Sequence, residues 1–181
     1  MTAKPIQYRD ISEREVLKYA LDYTMPWVIE TFRAIPDDLV AVRPRPNINA
    51  PGYVFGHIAV TERKHVGMFL ECVKDIPERY LIFFGSRGCC EQSHSEEEVR
   101  AAIESKDALI SYWEGVRGKT RAYLDRISDA DLKTVPQKTL HPDDHPNRHN
   151  PIREWFVMTI QHQNCMMGWL EIIKKLIADK T

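Results

Sequence analysis

Two rows of residues spaced by seven run through the last part of the chain, Ile152, Thr159, Met166 and Ile173 in one and Trp155, His162, Trp169 and Leu176 in the other. Adjoining rows of this kind form one broad apolar face of a long helix, and such a face must be covered by other helices, so the pattern predicts a bundle. The same register sets an imidazole, His162, in the middle of the seam. Both of its ring nitrogens then need partners: a metal ion, a carboxylate or a backbone carbonyl.

Three further helical stretches supply the cover. Over residues 12–35, Val16, Leu17, Ala20, Tyr23, Trp27, Val28, Phe32 and Ile35 recur at three-and-four spacing. Pro26 removes a backbone donor there, which predicts a kink near Asp22 and Tyr23. Asn49 and Pro51 read as cap and first turn of a second helix whose inward stripe is Val54, His57, Ile58, Thr61, His65, Met68 and Cys72, running to about residue 74. Residues 75–94 break the period around the apolar knot Tyr80 to Phe84, and read as a long connection that packs locally. Ser95 with Glu98 forms a capping-box pattern for a third long helix ending near Ile127, and residues 129–132 add a single turn. A polar, proline- and histidine-rich loop over residues 138–150 leads to Asn150 and Pro151, cap and first position of the fourth helix. No strand signal interrupts this order. The expected fold is all-α: one domain over residues 1–181, a four-helix bundle with long crossover connections.

Composition narrows the function classes. With 25 basic and 26 acidic residues the formal net charge is −1, which gives no electrostatic reason to expect nucleic acid or an anionic membrane as partner. No apolar run approaches the roughly 20 residues needed to span a bilayer, and the chain opens on no secretory pattern, so a cytoplasmic protein is expected. Cys72, Cys89, Cys90 and Cys165 lack a disulfide framework and read as reduced thiols. Cys89 and Cys90 have no base nearby in the sequence to activate them.

The chemistry-bearing candidates are histidines. His57, about two turns into the second helix, can come level with His162, and two inward imidazoles from different helices could share an ion. His65 lies eight residues further on, roughly 12 Å along a regular helix, and reads as a histidine bonded to a neighbour at the edge of the core. The loop cluster His141, Asp143, Asp144, His145 and His149 is rich in donors but interrupted by prolines, and so a poor rigid cage.

These motifs, in this order, resemble the DinB/YfiT-like metalloenzyme family. Pro51-Gly-Tyr-Val-Phe-Gly-His57-Ile-Ala resembles the family's first histidine element, and His162-Gln-Asn-Cys-Met166-Met-Gly168 its closing His-x-x-x-His-x-Gly element. The likeness extends to the Asp37-Asp-Leu to Arg43-Pro junction and the Asn150-Pro-Ile-Arg-Glu lead. It implies that His57 and His162 stand at two metal-ligand positions and that Met166 occupies the third.

A neutral thioether is a weak ligand for zinc or nickel, so either the third ligand is lost or another side chain replaces it. Cys165 is the substitute closest in sequence; Glu62 lies off the His57 face. The resemblance implies a metal-dependent thiol S-transferase acting on small electrophiles, with zinc, nickel, iron or manganese as the ion, a low-molecular-weight thiol as cosubstrate, and a homodimeric assembly. The alternative is a metal-free, non-catalytic small-ligand-binding or stress-associated bundle protein, its pocket lined by Trp155, Met158, Met166 and Trp169.

Overall fold

The computed structural model describes residues 11–85, 94–140 and 146–178. Within them the secondary structure is helical throughout, apart from one isolated bridge between Arg45 and Ile48. Six α-helices follow in order: α1 (Glu13–Tyr23), α2 (Met25–Arg33), α3 (Pro51–Arg63), α4 (Glu96–Ile103), α5 (Lys106–Arg126) and α6 (Ile152–Ala178). The α1–α2 rod packs on both α5 and α6, as does α3, so α5 and α6 face each other across a diagonal. The connections from α2 to α3 and from α5 to α6 therefore cross the bundle, as expected.

Local chemistry sets the boundaries. Ser12 caps α1 by accepting from the Glu15 amide. The expected kink is a full break at Thr24, with Pro26 in the first turn of α2, where its missing N–H costs nothing. Val16, Tyr23 and Trp27, assigned to the inner face of this helix, are instead exposed. Leu17, Val28, Phe32 and Ile35 are buried as read and Leu21 joins them, while Tyr19, Tyr23 and Trp27 form an outer ladder of rings 5.6 and 5.3 Å apart.

Asn49 is buried but is not the cap of α3; Ala50 holds that position without a side-chain bond. Beyond Arg63 the helix widens into a π-helical stretch, Lys64–Leu70, and stops four residues earlier than the sequence predicts. Cys72, with φ 58°, turns the chain, and the Val73 amide donates back to the Gly67 carbonyl. Gly67 is needed here because a Cβ would lie 2.6 Å from the guanidinium of Arg63, which folds over the stretch to reach Glu71 and Asp75.

The expected third helix is two. Ser95 makes the predicted capping box for α4, but Glu104 takes φ 56° and Ser105 caps α5 afresh by accepting from the Ala108 amide. A second capping serine competes with continuation of the helix, and here it wins. The apolar knot forms a 3₁₀ segment, Glu78–Phe83, with Tyr80 and Phe83 buried against α3, and the single extra turn is a 3₁₀ segment, Asp131–Lys133. Helix α6 starts at Ile152, so Pro151 just precedes it. Cys89, Cys90, His141, Asp143, Asp144 and His145 lie outside the described residues; His149 is exposed.

In α6 the row Ile152, Thr159, Met166 and Ile173 is buried as read. Its inner companion is Phe156, Gln163, Leu170 and Ile177, not the Trp155 row. His162, Trp169 and Leu176 are only half-buried. The seam is rotated by one residue, which moves His162 from the centre of the core to its rim.

Candidate functional site

Helix α3 carries His57 two turns from its start and packs along α6, so the two helices bring His57 and His162 together. Their ring centroids are 4.8 Å apart with planes at 65°. That is inside the roughly 7 Å that two bonds of about 2.1 Å to one ion could bridge.

His57 is oriented from behind. Its Nδ1–H donates 2.8 Å to the backbone carbonyl of Phe83, which makes Nε2 the acceptor, facing the Thr61 hydroxyl at 3.5 Å. Gly56 makes this possible. A Cβ there would meet the Phe83 ring at 2.5 Å, so only glycine lets the 3₁₀ segment close on α3. Burial first, and the positive charge of Lys64 second, hold the His57 pKa below its ordinary value despite the Phe83 bond. His162 falls further, to about 3, through burial and then the neighbouring His57 and His65. Both rings are therefore neutral at physiological pH. Among the described residues neither ring nitrogen of His162 has a hydrogen-bond partner.

His65 lies close enough to the pair for its charge to act on His162. The π-helical widening begins at Lys64, and His65 comes to lie over Trp155, ring centroids 5.6 Å apart. The Thr159 hydroxyl donates to the Trp155 carbonyl at 2.8 Å, so it accepts from His65 Nδ1–H at 2.9 Å. Tyr53 stacks on the other flank of His57 at 6.4 Å.

Met166, one turn after His162, is buried, whereas Cys165 is exposed. Among the described residues no three His, Cys, Asp or Glu side chains converge as a metal-binding group, so Cys165 does not complete a set with the pair. Glu62 is committed elsewhere. Its carboxylate accepts from Trp113 Nε1 at 2.9 Å and from Arg117 Nε and Nη2 at 2.9 and 2.8 Å, in a fully buried cluster. Burial opposes that charge, but Arg117 outweighs it and keeps the Glu62 pKa below its usual value. Arg117 also donates to Gln163, and both reach the Leu21 carbonyl at the α1–α2 break, with Gln163 bonding Thr24 as well. Sequence reading missed this cluster. Its one signal was Glu62-Arg63 standing inside a stretch otherwise buried on all sides.

Trp155 and Met166 are core residues and Met158 is half-buried. A cavity of about 430 Å³ opens instead beside Phe84, lined also by Met68, Lys74, Ile76 and Leu81.

A family model described as the DinB superfamily matches residues 21–165. The chain belongs to the DinB superfamily. The match takes in His57 and His162 and stops one residue short of Met166, so the DinB likeness covers both imidazoles but not the third position. The crystal structure of a conserved protein from Enterococcus faecalis is similar over 93% of this chain and 99% of its own, with a TM-score of 0.68 and 16% identity. At that identity the likeness shows a shared fold alone. No curated protein matches the chain. No helix among the described residues is long and apolar enough to cross a membrane.

Proposed function

We propose that this DinB-superfamily protein binds a small molecule at the rim formed by His57 and His162, and that the pair acts as two neutral hydrogen-bonding imidazoles in place of a three-ligand metal centre. The observation that carries this reading is the state of His162: half-buried, held neutral, and without a partner for either ring nitrogen among the described residues. Its ring nitrogens are not sealed from solvent, so a ligand there would take the place of water as their partner. Two imidazoles alone are a sparse set for zinc, nickel, iron or manganese, and the thioether at position 166 adds little to it.

A metal-dependent thiol S-transferase is the second reading. One observation favours it: the Phe83 carbonyl behind His57 Nδ1 is the kind of outer partner that orients metal-ligating histidines. It needs a third donor that the described residues do not supply. Metal content by mass spectrometry on untagged protein, purified without chelator beside His57→Ala and His162→Ala, separates the two. The first reading expects far less than one ion per chain. Near-stoichiometric metal lost in both variants overturns it and restores the transferase.

A further inference from the structure

Lys64 opens the π-helical stretch, half-buried, with its Nζ 4.7 Å from the centroid of Phe84 and 5.6 Å from that of Phe69. Its neighbour Arg63 is paired with Glu71 and Asp75, but no acidic side chain pairs with Lys64 among the described residues. Two ring faces are a partial substitute for the water it has lost: a cation–π contact contributes about 0.5–2 kcal/mol, whereas a hydrogen bond to a charged group contributes about 1.5–3. Phe84 belongs to both features. Its ring lies under the ammonium and also walls the 430 Å³ cavity, whose other sides are Met68, Ile76, Leu81 and Lys74. A space of that size with mainly apolar walls and few charges has the character of a small-molecule site. At its edge Lys74 is a second cation, exposed and likewise unpaired among the described residues.

We infer that this cavity takes an amphipathic organic anion, its apolar body against Met68, Ile76, Leu81 and Phe84 and its carboxylate on the Lys64 ammonium. The inference rests on the small-molecule reading above and gives the ligand its class; neither His57 nor His162 lines this cavity, and Lys64 stands in contact with its Phe84 wall. A neutral molecule would leave the ammonium as it is, and an organic cation would be repelled by it.

Calorimetric titration of the full chain with octanoate, 1-octanol and octylamine tests this, using the native protein, Lys64→Met and Lys64→Arg. Octanoate is expected to bind the native protein about tenfold or more tighter than octanol, equivalent to about 1.4 kcal/mol, with no binding of octylamine. Lys64→Met should remove the preference for the anion and leave octanol unchanged, and Lys64→Arg should keep it. Equal octanoate affinity in native protein and Lys64→Met overturns the anchor while leaving small-molecule binding intact. No binding of any probe to the native protein overturns the site itself. Stoichiometric metal on the histidine pair would instead refute the reading beneath it, a result that these titrations do not mimic.

Discussion

Arg117 donates from Nη2 to the side-chain oxygen of Gln163 over 2.7 Å, joining α5 to α6 across the diagonal of the bundle. The same guanidinium holds Glu62 of α3 and the Leu21 carbonyl at the break between α1 and α2. One buried cation thus ties all four rods together. Arg117→Met would strand the Glu62 carboxylate without a counter-charge and is expected to cost about 3–5 kcal/mol. Urea denaturation should show the double variant Glu62→Leu, Arg117→Met losing clearly less than the sum of its single changes. Additive losses would mean that the two side chains act independently.

Acid should weaken the fold through the histidine pair. Both folded-state pKa values lie below the unfolded value of about 6.5, so as pH falls through that point the unfolded chain takes up protons that the folded chain refuses. The stabilisation is complete above pH 6.5 and drains away on acidification, towards about 3 for His162. The slope is bounded by about 1.4 kcal/mol per pH unit for each ring. Denaturation midpoints measured between pH 8 and 5 should fall less steeply in His162→Gln than in the native protein; parallel curves would remove His162 from the account.

Gly56→Ala should displace Phe83, because the added methyl group meets a ring at 2.5 Å. A cost of about 1–3 kcal/mol is expected from overpacking. The more specific readout is His57: its Nδ1–H signal in nitrogen-edited spectra should lose the protection that the Phe83 carbonyl gives it. Unchanged protection would show that the 3₁₀ segment moves without releasing the ring.

Placing a histidine at position 166 should add a third imidazole to the pair. His162 and a ring one turn later share a helix face, and His57 stands 4.8 Å from His162. Met166→His is expected to bind zinc or nickel at close to one ion per chain in a competition titration with a chromophoric chelator. Binding no stronger than in the native protein would show that the third position points away from the pair.

The helices were legible in the sequence because apolar periodicity is a property of each helix alone. Which row of α6 lies innermost was not, since Trp155, His162 and Trp169 look as apolar as Phe156, Gln163 and Leu170 until the neighbours are placed. Gln163 and Glu62 were undervalued for the same reason: a polar side chain on one helix looks like surface when its partner, Arg117, is dozens of residues away. The breaks at Thr24 and Ser105 were fixed by local chemistry that could be read only in part. Pro26 announced the first, but Ser105 sat within a continuous period and gave no warning. The proximity of His57 and His162 was open in the sequence from the inward stripes of two different helices, and the resemblance spanning both made it an expectation.

The wide turns at Lys64–Leu70 amount to an α-helix carrying surplus chain, and such surplus can be taken out. A chain shortened by one residue within that stretch could regain an ordinary helical pitch without disturbing His57, which lies upstream. Residues towards its far end, Met68 and Phe69 among them, would then swing round the axis, away from their present neighbours. The imidazole pair and the cavity wall at Met68 are therefore separable parts: the first belongs to the bundle, the second to a local slackness in one helix.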